Sequence, residues 1–259
     1  MWLSGCCHHY VRAPDRPMPE IVSAVKQRRA CFDSFKVADA EFTFISHTGE
    51  GKSSFSCTGV AYMDISAGRL WIRAEKVVQD IFDLKVCDDR FVLILFETRE
   101  VAVGGRQVRS RLPFLLWPDE IFTGYGAEAP PDADWQTPGL DRHRNWFILR
   151  FKRGGHTVRQ VWVDALDLRV VGVQDFNLWG DLTTVLKFDD YRDLGGCPWP
   201  HRIEIHRKLR GISVIVKMRN VALNPEVGKI RWGHVPERYE RHDLDTEPLE
   251  NLRAFGAED

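Results

Sequence analysis

The stretch that decides the fold reads WFILRFKRGGHTVRQVWVDALDLRVVGVQ (146–174), and it continues through LTTVLKFDDY (182–191) and ISVIVKM (212–218). Apolar side chains recur at every second position, and clusters of Gly, Asp and Asn separate the alternating runs. This pattern is typical of antiparallel strands. The connections have hairpin lengths of about three to seven residues, which is too short for crossover helices. Residues 146–224 are therefore predicted to form an antiparallel meander with one apolar face.

A second block of alternating segments lies upstream, between residues 34 and 103. Its run FVLILF (91–96) is apolar on both faces, which predicts cover on both sides or an occupied cavity. One N-terminal helix is predicted over 19–31, because Pro19 and Glu20 suit the first turn of a helix. Its narrow apolar stripe suits packing on the sheet better than lying on a membrane. The two blocks predict a mainly β protein with few helices.

The segment LPFLLWPDEIFT (112–123) is richer in large apolar residues than a connector needs. Pro118, followed by two acidic residues, is a plausible helix start. Two interpretations stay open, a plug of the core and a lid over a ligand cavity. A long surface loop is predicted to follow it over 124–144, and such loops are often functional. After Pro225 the chain becomes polar, and a charged peripheral tail is predicted.

The composition is that of a soluble globular protein, with 259 residues, 44% hydrophobic, 28% charged and a net charge of -1. A charge so close to zero exerts no global attraction on nucleic acid, and no nucleic-acid partner is expected. No apolar run reaches the length of about 18 residues that a spanning helix needs. The six cysteines match neither paired zinc knuckles nor a dense disulfide framework. Their spacing does not say which of the four internal cysteines would pair.

The first residues, MWLSGC (1–6), contain Leu3-Ser4-Gly5-Cys6, which resembles a bacterial lipobox. In a lipobox the chain is cleaved before the Cys, and the thiol carries a diacylglycerol. The charged start and apolar core of a signal peptide normally precede the box, and only two residues do so here. We expect Cys6 to be the lipid attachment site and residues 1–18 to form a tether. The alternative is an accidental four-residue match.

Nothing in the sequence makes a convincing enzyme, and no catalytic residue, metal ligand or cofactor is predicted. Glu204 and His206 are expected on one strand face and His201 on the other, without the helical spacing of an HExxH site. The carboxylates of 189–193 lie near a turn, where Asp is common. A hydrolase would need Asp189, Asp193 or His201 to converge in one cleft. The adjacent residues 7–9 (Cys-His-His) cannot converge on a metal without further partners.

The hairpin YRDLGGCPWPHRI (191–203) is similar to the late "Tyr-x-Asp-x-Gly-Gly…Pro-x-x-Ile" hairpin of the LolA/LolB-like superfamily of bacterial lipoprotein carriers. Asn224 falls where those proteins often end the last strand. The order of parts, a helix, a strand block, a lid-like segment and a second meander, is also similar over residues 19–225. The chain departs from the family by an insertion at 124–145 and by the charged tail 226–259.

The resemblance implies a single, strongly curved antiparallel sheet, an open half-barrel whose concave face is covered by short helices. Between them a hydrophobic cavity would take the acyl chain of a lipid or of an acylated lipoprotein. The implied protein is non-enzymatic and faces the periplasm in a bacterial cell envelope. If Cys6 is acylated, a LolB-like receptor anchored to a membrane, the outer membrane before the inner, fits better than a shuttling carrier. A protein partner in the envelope is compatible with this role.

A second function stays open, a structural or interaction lipoprotein whose sheet is filled by its own side chains. The ligand hypothesis assigns the large apolar residues of the strands and of the lid segment to the cavity. The wall is assigned to Phe42, Phe44, Phe91, Leu93, Leu95, Leu186, Phe188, Ile203, Ile205, Val214 and Val216. The lid is assigned to Phe114, Leu115, Trp117, Ile121 and Phe122. Burial of about 0.8 kcal/mol per methylene would hold an acyl chain without an ion pair.

Overall fold

The computed structural model describes residues 15–48, 51–77, 79–110, 125, 139–143, 145–226, 236–248 and 251–252. The first part of the chain contains α1 (Met18–Arg29) and the strands β1 (Ser34–Thr48), β2 (Gly51–Asp64), β3 (Arg69–Lys76), β4 (Gln79–Cys87), β5 (Arg90–Leu95) and β6 (Glu100–Gly105). The second part contains β7 (Gly139–His143), β8 (Trp146–Arg153), β9 (His156–Asp164), β10 (Val170–Phe176), β11 (Leu182–Asp193), β12 (Pro198–Arg207), β13 (Ile212–Leu223) and β14 (Glu240–Asp243). Short 3-10 helices lie at Arg106–Ser110 and Lys208–Arg210.

All these strands belong to one open sheet, in the order β14-β6-β5-β4-β3-β2-β1-β13-β12-β11-β10-β9-β8-β7. The neighbours are antiparallel, except that β14 runs parallel to β6. The two predicted meanders are joined where β1 pairs with β13, from Phe35↔Leu223 to Ser46↔Ile212. The prediction of one open, mainly antiparallel sheet is confirmed, and the sheet does not close into a barrel.

The hairpin turns alternate between the two ends of the sheet. One end carries the β1–β2, β3–β4, β5–β6, β8–β9, β10–β11 and β12–β13 turns, and we call it the open end. The other end carries helix α1 and the β2–β3, β4–β5, β9–β10 and β11–β12 turns, and we call it the closed end. The names reflect the burial of the apolar face, which differs between the two ends.

The sheet is strongly curved, and its apolar face is concave. Two strands separate β1 from β4, which places them about 14 Å apart in a flat sheet. The ring centroids of Phe44 on β1 and Phe82 on β4 are nevertheless only 6.1 Å apart. Strand β13 separates β1 from β12, yet the rings of Phe35 and Trp199 are 4.6 Å apart. Such contacts require the strands to bend toward one another, as an open half-barrel does.

Helix α1 packs on the concave face at the closed end. Ile21 and Val25, one helical turn apart, are its buried residues. Just after the helix, Phe32 meets Trp199 edge-on with ring centroids 4.7 Å apart. The predicted packing of this helix on the sheet is therefore observed. Among the described residues, no helix combines the length and the apolar composition that crossing a bilayer requires.

Asn224 fastens the exit of the helix to the end of β13. Its Oδ1 accepts the backbone N–H groups of Asp33 (2.8 Å) and Ser34 (3.2 Å), and its Nδ2 donates to the carbonyl of Cys31 (3.1 Å). Asn224 has a φ of 47°, a left-handed conformation that Asn tolerates better than most residues. Asn224, which also takes part in the family resemblance, thus joins the start of β1 in the first meander to the end of β13 in the second.

Strand β5 is buried on both faces, as its apolar sequence predicts. Phe91 and Leu93 belong to the main core on the concave face. Ile94 packs with Val101 and Val103 of β6 in a second cluster on the outer face, against which Tyr239 lies. The chain beside β14 therefore supplies part of the second cover that this strand needs.

Two predictions about connecting segments are wrong in part. The sequence predicts a surface loop over 124–144, but residues 139–143 form β7 and pair with β8. It predicts a peripheral tail after residue 225, but residues 240–243 form β14 beside β6, and Leu244 and Leu252 are fully buried. Both strands lie at the margins of the sheet, where they are short and have one neighbour. Such strands need no regular apolar alternation, so their sequences carry little β signal.

Candidate functional site

The predicted wall residues lie on one continuous concave face, which the strand register brings together. Along the middle of the sheet the facing pairs are Phe42↔Val216, Phe44↔Val214, Val216↔Ile203, Val214↔Ile205, Ile203↔Phe188 and Ile205↔Leu186. Phe91, Leu93 and Leu95 continue the face on β5. The structure places these residues on one shared surface. Their role as the wall of a ligand cavity stays a prediction.

Most of these wall residues are buried by the protein itself. Only two of them, Phe44 and Leu95, are partly exposed. Both lie toward the open end, whereas the middle and the closed end of the face are filled by the chain's own side chains. Among the predicted wall residues, the exposed apolar surface is therefore confined to the open end.

A cluster of half-exposed apolar residues at the open end, here called the mouth, consists of Phe44, Phe55, Phe82 and Leu95. The Phe44 ring stacks on Phe55 at 6.2 Å and meets Phe82 edge-on at 6.1 Å. Phe82 faces Leu95 across β4 and β5, and Phe55 is 38% exposed. Phe55 and Phe82 are not among the predicted wall residues, although each lies two residues before a buried residue of the concave face in its own strand, Cys57 and Leu84. Alternation along β2 and β4 was the signal that could have found them.

Beyond the mouth, the open end of the concave face carries a buried ion pair between neighbouring strands. Arg159 on β9 bonds Asp175 on β10 through two contacts, Nε–Oδ1 at 2.6 Å and Nη2–Oδ2 at 3.2 Å. Arg159 is 5% exposed, and a bidentate pair of this kind is both strong and directional. Arg207 lies across from Thr184 nearby, and burial lowers the pKa of its guanidinium. One half of the open end is thus aromatic and the other half is charged.

Exposed large apolar residues concentrate at the turns of the open end. We call this surface the rim, and it consists of Phe55, Val77, Leu178, Trp179 and Leu209. Trp179 is 87% exposed and Leu209 is 64% exposed. Among the described residues, Leu166 is the one exposed large hydrophobic residue at the closed end. Exposed apolar residues grouped in this way usually mark an interaction surface.

The turn that displays Leu178 and Trp179 is held by its own hydrogen bonds. Asn177 Oδ1 accepts the backbone N–H groups of Trp179 (3.0 Å) and Asp181 (2.8 Å), and its Nδ2 donates to Asp181 Oδ2 (2.9 Å). Such Asx interactions mimic a backbone turn. The exposure of Trp179 is therefore built into the turn. Lys208 and Arg210 flank Leu209 on the neighbouring β12–β13 turn and are exposed.

The strand periodicity separates the residues of the histidine–glutamate motif, as expected. His201 is buried, with its Nδ1 2.8 Å from the carbonyl oxygen of Met218. Glu204 and His206 share the outer face, with Oε2 and Nε2 3.1 Å apart. The Oγ of Ser213 lies 2.8 Å from His206 Nδ1. The outer face therefore carries a chain of Ser, His and Glu, which are residue types that hydrolases use.

The described surroundings of these three side chains differ from those of a hydrolase site. Glu204 is bonded by Arg202 at 2.7 Å and lies 3.5 Å from Lys187, which lowers the pKa of Glu204 against the effect of its burial. An acyl-transfer site also needs backbone N–H groups that converge on an oxyanion. Here β12 and β13 pair in a regular antiparallel ladder. Their backbone N–H groups therefore lie in the plane of the sheet and do not converge above the side chains.

The carboxylates of 189–193 each serve the local backbone or a neighbouring side chain. Asp189 accepts the N–H of Asp190, Asp190 bonds Arg192 at 2.7 Å, and Asp193 accepts the N–H of Gly196 at 3.0 Å. They do not converge with each other on a common cleft. The geometry gives the hydrolase hypothesis no support.

The four described cysteines are free thiols, and three of them, Cys31, Cys87 and Cys197, lie at the closed end. Burial, together with a hydrogen bond to Cys31, raises the pKa of Cys197 to about 12. Burial raises the pKa of Cys57 in β2 to about 11. Both thiols are therefore protonated at neutral pH and behave as small apolar side chains.

Tyr125 marks where the chain after the lid segment meets the core. Its ring lies 5.2 Å from that of Phe188 and 6.1 Å from that of Phe32. Its hydroxyl donates to the carbonyl of Pro198 at 3.2 Å, and burial raises its pKa to about 12.

The other predicted elements of the site lie outside the described residues, namely the lipid attachment residue Cys6 and the lid residues Phe114, Leu115, Trp117, Ile121 and Phe122.

No family model matches the sequence, and no curated protein matches it. Solved structures do resemble it. A LolA superfamily protein from Nitrosomonas europaea has 12% identity and a TM-score of 0.54, with 82% of this chain and 95% of that chain covered. A DUF1329 family protein from Desulfovibrio piger has 11% identity and a TM-score of 0.56, with 83% and 96% covered. At such identities the likeness concerns the fold alone, and the chain has a LolA-like fold.

Proposed function

We propose that the protein is a non-enzymatic binder of an acyl chain, carried by a lipid or by an acylated lipoprotein. The observation that carries the proposal is the mouth, a partly exposed apolar cluster of Phe44, Phe55, Phe82 and Leu95 on a concave face that is buried in its middle and at its closed end. A concave apolar surface with few polar groups suits an apolar guest. About eight buried methylenes would contribute about 6 kcal/mol, which is enough for binding without an ion pair.

The rim supports a position of the mouth against a membrane surface. Trp179 and Leu178 stand in solvent on one turn, and Leu209 stands between two cationic residues, Lys208 and Arg210, on the next. Aromatic residues prefer the membrane interface, and basic residues are attracted to anionic head groups. The proposed protein is therefore a lipoprotein of a bacterial cell envelope, facing the periplasm, with Cys6 as its anchor and the outer membrane as its first candidate location.

The filled closed end of the concave face favours a second function, that of a structural or interaction protein without a ligand. Ile21, Phe32 and Trp199 fill the concave face at the closed end, with exposures of 1% or less. A sheet filled in this way needs no guest, so the protein would act as a structural or interaction lipoprotein in the envelope. The two functions differ in whether the mouth takes up an apolar ligand.

The test is made on protein purified with Cys6→Ser, so that an attached acyl group cannot be mistaken for a ligand. The purified protein is extracted with organic solvent for mass spectrometry, and the extracted protein is titrated with a fluorescent fatty acid. We expect a co-purifying lipid and saturable binding of about one probe per chain. Protein that carries no lipid and does not bind the probe would reject ligand binding and leave the structural function. Palmitate labelling of the unsubstituted chain, expressed behind a signal peptide, tests the anchor separately.

A further inference from the structure

A group of carboxylates and one histidine lies where β14 pairs with β6. Glu100 and Glu240 face one another at the start of these parallel strands, and His242 follows two residues later on the same face. His242 Nε2 is 3.6 Å from Glu100 Oε1 and 3.9 Å from Glu240 Oε1. One ligand atom from each of the three residues lies within 4.8 Å of the other two. Glu100 is fully buried, and His242 is 6% exposed.

Glu247 orients the imidazole of His242 toward the two carboxylates. His242 Nδ1 lies 3.1 Å from Glu247 Oε2, and Glu247 Oε1 accepts the backbone N–H of Asp243 at 3.3 Å. This contact directs the other ring nitrogen, Nε2, toward Glu100 and Glu240. A metal-binding histidine is usually held by a carboxylate in this way.

The Nε2 atom of His242 is buried, and within the described part of the chain it makes no hydrogen bond. A doubly protonated ring would place an N–H there, with its nearest carboxylate oxygens at 3.6 and 3.9 Å. These separations exceed the length of an N–H···O hydrogen bond. A purely structural ion pair thus leaves this buried donor unsatisfied, whereas a ligand between the three residues would engage the lone pair.

We propose that Glu100, Glu240 and His242 bind one divalent transition-metal ion, with zinc as the preferred ion and Glu247 as a positioning residue. One imidazole and two carboxylates form a mixed nitrogen–oxygen donor set that zinc accepts, whereas magnesium and calcium prefer oxygen alone. Tetrahedral zinc with bonds of about 2.0–2.1 Å holds its ligand atoms about 3.3 Å apart. The two distances from His242 Nε2, 3.6 and 3.9 Å, exceed this separation by only about 0.3 and 0.6 Å. The ligand atoms of the two carboxylates lie within 4.8 Å of one another, and the side chain of Glu240 is 59% exposed.

The ion would join a margin strand to the sheet. Strand β14 has four residues and one neighbour, and Glu100 lies opposite Leu95 of the mouth. A metal at this point fixes β14 beside the open end independently of any bound lipid. The three residues come from distant parts of the chain, so no local spacing in the sequence predicts the site.

Zinc binding is measured by isothermal titration of the full chain after EDTA treatment. His8→Ala and His9→Ala are introduced with Cys6→Ser and Cys7→Ser to remove competing ligands at the N-terminus. We expect one zinc ion per chain with a dissociation constant in the micromolar range or below, and a higher Tm in the presence of zinc. Glu240→Gln should weaken binding at least about tenfold, and Glu247→Gln should weaken it by about 10-fold to 100-fold.

Glu97→Gln is the matched control, because Glu97 is an exposed carboxylate on the β5–β6 turn close to Glu100 in sequence. It should leave zinc affinity unchanged. Circular dichroism of each variant confirms that it is folded, and the exposed Glu240 is the substitution least able to disturb folding. The proposal is overturned if the folded parent protein binds no zinc. It is also overturned if Glu240→Gln and Glu97→Gln bind zinc equally well.

Discussion

The two ends of the concave face are built from the same strands but differ in what covers them. At the closed end Trp199 is packed between Phe32 and Phe35, with ring centroids 4.7 and 4.6 Å away. At the open end the rings of Phe44 and Phe82 touch each other and remain partly exposed. The closed end is therefore packed as a core, whereas the open end keeps apolar surface partly exposed, which is the surface that we propose binds the guest.

The difference teaches that an apolar strand face and a ligand-binding face are not the same thing. Alternation along β1 places Phe42 and Phe44 on one side, but Phe42 is buried and Phe44 is not. Helix α1 lies at the closed end, where its residues Ile21 and Val25 belong to the buried cluster. Four substitutions or probes test the contrast, and they are given in order of decreasing expected effect.

Trp199→Ala should lower the free energy of unfolding by about 3–5 kcal/mol, because it leaves a large cavity in a fully buried site. Phe82→Ala at the open end should lower it by only about 1–2 kcal/mol, because the ring is already partly in water. Urea unfolding followed by circular dichroism measures both. Equal losses for the two variants would mean that the open end is packed like the closed end.

Cys197 should react with iodoacetamide at least about 100-fold more slowly than Cys31 at pH 8. A pKa raised to about 12 keeps the Cys197 thiol protonated at this pH, and the reactive species is the thiolate. Cys31 is exposed. Mass spectrometry of the alkylated peptides measures each rate, and the two rates should become similar in urea. Comparable rates in the folded protein would contradict the tight packing of the closed end.

The double variant Phe44→Ser with Phe82→Ser should weaken binding of a fluorescent fatty acid at least about tenfold, since it removes apolar contact area from the mouth. Ile45→Ser with Ile215→Ser is the matched control, because these partly exposed residues lie on the outer face, on β1 next to Phe44 and on the adjacent strand β13. The control should bind as the parent does. A probe titration in which both variants lose affinity equally would place the binding site elsewhere.

Leu178→Ser with Trp179→Ser should reduce binding to vesicles with anionic head groups about fivefold, because the rim loses two residues that partition into the interface. Leu166→Ser is the control at the closed end, where the side chain is 54% exposed. The measurement is vesicle co-sedimentation of protein carrying Cys6→Ser. If Leu166→Ser reduces binding as much as the rim variant, the membrane does not approach the open end.

Much of the fold follows from the sequence because alternation is a local property. The strands from Ser34 to Val103 and from Trp146 to Leu223 are recovered, with the turns between them. The margin strands β7 and β14 are not, because Gly139–His143 and Glu240–Asp243 are short and polar, and their pairing depends on neighbours far away in the sequence.

The candidate site follows from the sequence only in part. The face of Phe44 and Leu95 is predictable from period two, whereas their exposure depends on the reach of α1 and on the curvature that brings Phe44 to Phe82. Neither the ion pair of Arg159 with Asp175 nor the group around His242 has a motif, because cross-strand register alone assembles them. Register over distant strands is the property that local sequence patterns do not encode.

The most direct test of ligand binding at the open end is photo-crosslinking with a diazirine fatty acid, followed by peptide mass spectrometry. We expect the label in the peptides that carry the mouth residues Phe44, Phe55, Phe82 and Leu95, and we expect unlabelled oleate to compete with it. Label concentrated in the peptides of Phe32 and Trp199, or spread over the outer face without competition, would contradict the assignment of the mouth as the binding site.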